Sequence, residues 1–381
     1  MPPCLMHVFP SFAIGGMQTQ FATIANGLGR AFHHAIVSLD GRTQCRAKLD
    51  PGTPHEFLTP PPGSARGLAA APAIARFLRA QAPAALVTYN WGAIEWCFVN
   101  RLCRIAPRIH AEHGFGPDEA ERLMRRRNLF RRVALSGGTR LVVPSLTLHD
   151  IARRHWGVHD PDLHLIPNGI DVAGMESRAR SAPPAFARTG TEIVVGAVAP
   201  LVAVKNHARL LRVFAAATQD DPRWRLVLVG DGPERPALEA MADRVGIASR
   251  TLFVGSLVEP AAAIAAIDIL ATTSCTEQMP YCVLEAMALG KPVVAGAVGD
   301  IAAMVAAENR PFVVPREDEA GLAGALRRLA GDEDLRRRVG DANRRRCSAT
   351  YPEHRMRDAF RRLFEQATGG HPDLENRRPD R

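Results

Sequence analysis

Residues 267 to 296 carry the pattern that most constrains what this chain can fold into. The run Ile267-Asp268-Ile269-Leu270-Ala271-Thr272 reads as a buried strand. Pro280 stands where a helix can begin, because its missing N–H costs nothing in the first turn. Tyr281 to Leu289 has the composition of a helix, and Gly290 is placed to close it. Lys291-Pro292 then turns the chain into a second apolar strand, Val293-Val294-Ala295. Glu277 therefore falls in the loop at the C-terminal end of a strand, and Glu285 on the helix that follows. In open α/β sheets that end of the strands is where ligands bind. The free N–H groups and partial positive charge of a helix N-terminus suit phosphate there. Carboxylates beside phosphate are left to accept hydrogen bonds from hydroxyls, and a nucleotide sugar carries both groups.

The same alternation runs through the chain. Leu5–Phe9 reads as a first strand, followed by Gly15-Gly16 and a helix from about Met17 to Leu28. The glycine pair either lets backbone N–H groups approach a ligand or makes a tight turn. Strands are expected at 34–39, 84–89, 108–114 and 141–145, with a helix over 67–82. The second half repeats the pattern, with strands at 193–198, 225–229 and 251–254 and helices at 206–217, 234–245 and 259–266. This alternation predicts parallel sheets covered on both faces. At 381 residues two domains are expected. We place the first at 1–172, a linker at 173–190, the second at 191–352 and a disordered tail at 369–381.

Composition excludes several classes. With 46% apolar residues the chain is ordinary for a globular protein, and no apolar run is long enough to span a bilayer. The start, MPPCLMHVFPSF, lacks the basic and apolar regions of a signal peptide. Seven scattered cysteines with no Cys-x-x-Cys pair read as reduced thiols in a cytoplasmic protein, and no metal site is expected. The net charge of +9 suits phosphorylated ligands or an anionic membrane surface. Nucleic acid is not expected as a partner, because no recognition motif for it is present. Around the basic run Arg122–Arg132, within residues 118–140, Leu123, Leu129, Phe130, Val133 and Ala134 share one side of a helical wheel, with Arg126 inside that stripe. Either this basic segment adsorbs to the inner face of the plasma membrane, or it is a solvated helix with one side packed on its domain.

Glu277, seven residues, then Glu285 and Ala-Met-Ala-x-Gly-x-Pro-Val-Val resemble the signature of glycosyltransferase family 4, also called glycosyl transferases group 1. The resemblance covers nearly the whole chain, including Pro167-Asn168-Gly169-Ile170-Asp171 before the linker. It implies the GT-B architecture: two doubly wound, Rossmann-like α/β domains facing a central cleft, with a last helix at about 353–366 returning to the first domain. It also implies a retaining, metal-independent hexosyltransferase using a UDP- or GDP-type sugar donor and a polysaccharide or lipid-linked glycan acceptor, with no further cofactor. In that reading Lys205, with Pro280, Tyr281, Cys282, Val283 and Leu284 at the helix start, holds the diphosphate. Glu285 binds ribose, Glu277 the sugar hydroxyls, and His113 the sugar near its primary hydroxyl. Gly15 and Gly16 lie against donor or acceptor, and Glu112 either shares the acceptor pocket or is a solvated acid.

Two positions depart from the pattern. Pro200 stands where the family has an arginine on the diphosphate, and Gln278 stands where glycine is usual. Losing a guanidinium removes a charge-assisted, bidentate phosphate contact. Arg209, about one turn beyond Lys205, is a candidate substitute or else a solvent-facing side chain. The alternative is therefore a catalytically weak nucleotide-sugar-binding partner of an active transferase.

Overall fold

A computed structural model describes residues 2–64, 67–119, 122–183, 185–188, 190–218 and 221–369. The stretch 370–381, in the tail expected to be disordered, lies outside the described residues. The chain divides into two compact units. The first comprises Met1–Gly114, Leu123–Pro167 and His354–Arg381, and the second Phe115–Arg122 and Asn168–Glu353.

The first unit holds a seven-stranded sheet: β1 (Cys4–Phe9), β2 (His33–Ser38), β3 (His55–Leu58), β4 (Ala85–Tyr89), β5 (Arg108–Ala111), β6 (Thr139–Val143) and β7 (Leu163–Leu165). The second holds six strands: β8 (Ile193–Val198), β9 (Trp224–Val229), β10 (Thr251–Gly255), β11 (Ile269–Thr272), β12 (Val293–Gly296) and β13 (Val313–Val314). Neighbouring strands in both sheets run parallel. The orders are β3-β2-β1-β4-β5-β6-β7 and β10-β9-β8-β11-β12-β13, so each sheet is doubly wound with its reversal beside its first strand. Apolar runs without alternation follow from this, since both faces are covered. In β9, Leu226 and Leu228 enter one core while Val227 and Val229 enter the other.

Several elements escape a pattern reading. The strand β3 is short and carries His55 and Glu56, and β13 has two residues, so neither shows a period. The helix Ile94–Cys103 has no side-chain N-cap to announce it. Within the stretch expected as linker, Val172–Ser181 is a helix. Asp171 caps it by accepting from the Gly174 N–H at 3.0 Å, and Met175 is buried beneath it. The helix expected over 67–82 begins only at Ala71. The last helix, Glu353–Thr368, puts Met356, Phe360, Leu363 and Phe364 into the core of the first unit.

The basic segment is a helix over Arg125–Ala134, and it splits the apolar stripe: Ala134 is buried and Phe130 packs on Trp91 and Phe98, while two other apolar residues face out. Leu129 and Val133 are 65% and 41% exposed, flanked by exposed Arg125, Arg126 and Arg132. Arg131 is fully buried instead. Its guanidinium lies 4.9 Å from the Trp91 ring and 5.1 Å from the Trp156 ring, and its Nε is 3.4 Å from Glu112. Two indoles and a buried carboxylate compensate this charge, so it outcompetes leucine for the inner face. Glu112 is accordingly neither solvated nor open, but part of the buried cluster.

Polar groups are also buried under the sheets. His7 Nδ1 lies 3.0 Å from the Tyr89 hydroxyl, and His7 Nε2 lies 3.0 Å from His34 Nδ1. Burial, with the neighbouring imidazole second, holds His7 well below the usual histidine range. His34 is pushed down to about 3, and His113 and His207 to about 4, burial being the largest cause each time. Unfolding restores an ordinary pKa near 6.5, so below that pH the unfolded chain binds protons that the native one refuses. We expect stability to be constant above pH ~6.5 and to fall as pH drops towards ~4. The slope should reach about 1.4 kcal/mol per pH unit for each such histidine. Thermal melts between pH 5 and 8 test this, and an unchanged midpoint between pH 7 and 5 would refute it.

Candidate functional site

In the second unit the reversal of strand order lies between β8 and β11. The loops leaving these strands diverge from one sheet position, so residues far apart in sequence meet. After β8 the chain makes a short turn over Ala203–Lys205, and Asn206, at φ +48°, starts the helix His207–Ala217. After β11 comes Thr273–Pro280, then the helix Tyr281–Ala288. The loops are stitched together: the Cys275 N–H donates to the Val204 carbonyl at 2.8 Å, and the Thr273 hydroxyl to the Asn206 carbonyl at 2.9 Å.

That stitching brings Lys205 and Glu277 together, with Nζ 2.5 Å from Oε1. The Ser274 hydroxyl donates to the same oxygen at 2.8 Å. Burial by itself would depress the Lys205 ammonium, but the Glu277 carboxylate outweighs it and leaves the pKa raised. Lys205 is therefore a fixed positive charge at neutral pH. The thiol of Cys282 is pushed up to about 12, first by burial and then by Glu277. Tyr281 is held well above the phenol range by burial, Glu353 and Glu285. Both glutamates thus act electrically on the start of the 281–288 helix, whose first N–H groups belong to Tyr281, Cys282, Val283 and Leu284. Among the described residues no cluster of three His, Cys, Asp or Glu side chains could hold a metal ion.

Pro200 lies in the β8 loop with its carbonyl accepting from His207 Nε2 at 3.2 Å. The loop packs directly on Gly230 and Gly232: a Cβ on Gly230 would lie 1.9 Å from the Ala199 carbonyl oxygen. Arg209 does not face solvent. It is buried, donating to the Arg316 carbonyl at 2.6 Å and paired with Glu317. Gln278 is buried, with its carbonyl accepting from the Asp300 N–H at 2.9 Å.

In the first unit Gly15 caps the helix Gly16–Leu28 with an extended backbone, and Gln18 closes the loop by donating to the Ser11 carbonyl at 2.7 Å. His113 follows β5. Its N–H donates to Asn90 Oδ1 at 2.7 Å, and its ring stacks on Tyr89 with centroids 6.4 Å apart. Its Nε2 is buried without a partner, and with a pKa near 4 the imidazole is neutral. A buried polar atom left unmatched at a strand's C-terminal end is suited to a ligand hydroxyl. Asn90, at φ +54°, escaped the sequence reading; a non-glycine residue in that conformation is visible only in coordinates.

Residues 14–173 match the family described as Glycosyltransferase Family 4, and residues 180–346 match Glycosyl transferases group 1. The chain is 31% identical over 203 residues to the lipopolysaccharide core biosynthesis glycosyltransferase LpsD of Rhizobium meliloti, covering 52% of this chain and 57% of that one. It is 37% identical over 157 residues to the 2-deoxystreptamine N-acetyl-D-glucosaminyltransferase of Streptomyces fradiae, covering 38% and 35%. The matched stretches thus span about half the length of such relatives, or less. Anabaena Alr3699/HepE, solved with UDP and glucose, shares the fold with a TM-score of 0.77 at 18% identity, over 96% of this chain and all of that one. The two doubly wound α/β units are those of the GT-B fold.

The loop carrying Glu277 depends on a close backbone approach. Gly299 has φ +52°, and a Cβ there would lie 2.1 Å from the Glu277 carbonyl oxygen. We expect Gly299→Ala to lower stability by about 1–3 kcal/mol, from strain and displacement of that loop. Urea denaturation measures the loss; a change below ~0.5 kcal/mol would show that the loop yields freely.

Proposed function

The chain belongs to glycosyltransferase family 4, and we propose that it moves a hexosyl unit from a nucleotide diphosphate sugar to a polysaccharide or lipid-linked glycan acceptor. The observation that carries this reading is the Lys205–Glu277 pair, held beside a helix N-terminus at the strand reversal. In the reaction the bond from anomeric carbon to phosphate oxygen breaks and an acceptor oxygen bonds to that carbon. The departing diphosphate gains negative charge, which Lys205 and the N-terminal end of the 281–288 helix are suited to stabilise without a metal ion. Glu277 accepts from sugar hydroxyls and Glu285 from ribose. Neutral His113 hydrogen-bonds the sugar, with Gly15 and Gly16 lining donor or acceptor. Retention of configuration belongs to the same proposal and follows the family resemblance. The complex of HepE with UDP and glucose supports a UDP-sugar donor.

A second reading, a nucleotide-sugar-binding partner with little turnover, is favoured by Pro200 and by the engagement of Arg209 with Glu317. Thermal shift and calorimetry over a panel of UDP- and GDP-sugars test binding, and release of nucleoside diphosphate tests turnover. We expect Glu285→Ala and Lys205→Ala each to weaken nucleotide binding by about 1–3 kcal/mol. Turnover should survive chelation of divalent metal. Wild-type affinity in both variants would remove the site assignment, and binding without turnover would establish the second reading.

The proposed setting is the cytoplasm, with the Arg125–Ala134 helix resting on anionic lipid. Among the described residues no helix is long and apolar enough to cross a membrane. Leu129 and Val133 stand outward between Arg125, Arg126 and Arg132, apolar side chains inside a cationic rim. We expect flotation with anionic vesicles that weakens with salt. Replacing the three arginines by Gln and Leu129 and Val133 by Ser should abolish it. Undiminished flotation of that variant would eliminate the surface.

A further inference from the structure

The geometry points to Asn168 as a positioning residue for the donor sugar, acting through the loop that carries Glu277. This inference rests on the transferase reading of the site. Asn168 is the first residue of the second unit, where the chain leaves Pro167, and it is buried. Its Nδ2 donates to the Met279 carbonyl at 2.7 Å, and its backbone N–H lies 3.2 Å from Met279 Sδ. Met279 immediately precedes Pro280, the cap of the 281–288 helix.

Pro280 has no N–H and a fixed φ, so the peptide joining Met279 to it has one hydrogen-bonding group, the Met279 carbonyl. Holding that oxygen fixes the plane of the peptide through which the Glu277 loop enters the helix. The two preceding carbonyls are also constrained from outside the loop. The Gln278 carbonyl accepts from the Asp300 N–H at 2.9 Å, and the Glu277 carbonyl packs against Gly299. Three consecutive carbonyls are thus set by the 299–300 turn and by Asn168. Of these contacts only the one to Asn168 comes from a side chain, so one substitution can remove it. Asn168 lies 111 residues from Met279 in sequence and touches the loop at its backbone, away from the Glu277 carboxylate, which Lys205 and Ser274 hold.

Removing the amide donor should leave Lys205 and Glu285 in place while loosening the approach of Glu277 to the sugar. Its signature is therefore a loss of discrimination between the sugar nucleotide and the bare nucleotide. A general folding defect would weaken both ligands together.

The experiment compares wild type with Asn168→Asp, which keeps size but turns the donor into an acceptor facing a carbonyl, and Asn168→Ser, which restores a donor. Calorimetry with UDP and UDP-glucose, or with the base and sugar preferred in the panel, is paired with steady-state kinetics. For Asn168→Asp we expect nucleoside diphosphate affinity within about twofold of wild type, sugar-nucleotide affinity at least tenfold weaker, and kcat lowered by about tenfold or more. These figures correspond to loss of a well-aligned contact. Asn168→Ser should recover part of both. Equal weakening of both ligands, or no change in either, overturns the inference. If Asn168→Asp does not fold, the same comparison on Asn168→Ser and Asn168→Ala decides it: serine must exceed alanine in kcat and in sugar discrimination. A wild type that binds no nucleotide or sugar nucleotide removes the transferase reading itself, a result distinct from either variant outcome.

Discussion

The pairing of β8 with β11 is the contact on which the candidate site depends. Ile269 pairs with Val195 and Leu270 with Gly196, in the middle of a parallel sheet whose connections leave in opposite directions. Gly196 makes this approach feasible, since a Cβ there would lie 2.4 Å from Ile267 Cγ2. With these strands side by side, the Lys205 turn and the Glu277 loop have no helix between them. Their hydrogen bonds, from Cys275 to Val204 and from Thr273 to Asn206, follow from that adjacency. Separate the strands and the ammonium and carboxylate have no reason to meet.

A second constraint is that buried polar groups must be matched, and the two units meet it differently. In the second unit matching is nearly complete around β12. The Asn309 amide takes both the N–H and the carbonyl of Val293 at 2.8 Å, acting as a strand partner where β13 is too short. Asn343 then holds Asn309 and the Lys291 carbonyl. In the first unit polar atoms remain unmatched under the ends of β4 and β5: His113 Nε2, His110 Nε2 and one oxygen of Glu112. Burial keeps His113 neutral, so it can serve a hydroxyl without introducing charge. Glu112 spends its other oxygen on Arg131, which ties this part of the sheet to the Arg125–Ala134 helix.

Much of the fold was legible in the sequence because its causes are local. Apolar runs bounded by glycine and proline announce strands, a proline in the first turn announces a helix, and their alternation leaves a parallel sheet as the way to bury both faces. Glu277, Pro280 and Glu285 lie within nine residues, so their places on loop and helix follow from one crossover unit. Elements without a period or cap, such as β3, β13 and the helix Ile94–Cys103, gave no such signal.

What tertiary structure alone decided is which side chains meet. Lys205 and Glu277 lie 72 residues apart and are joined by strand order, which periodicity does not encode. The partner of Arg209 lies 108 residues away, so its engagement with Glu317 could not be read from its distance to Lys205. On the Arg125–Ala134 helix the wheel gathered the apolar residues on one side, whereas the structure turns Phe130 and Ala134 inward and Leu129 and Val133 outward. The fold placed Trp91, Trp156 and Glu112 beneath it, and those groups recruited Arg131 inside. Sequence determined the alternation, the crossover unit and the carboxylates because these are properties of neighbouring residues. The pairing of charges, the burial of an arginine and the grip of Asn168 on Met279 arise only when distant segments are packed together.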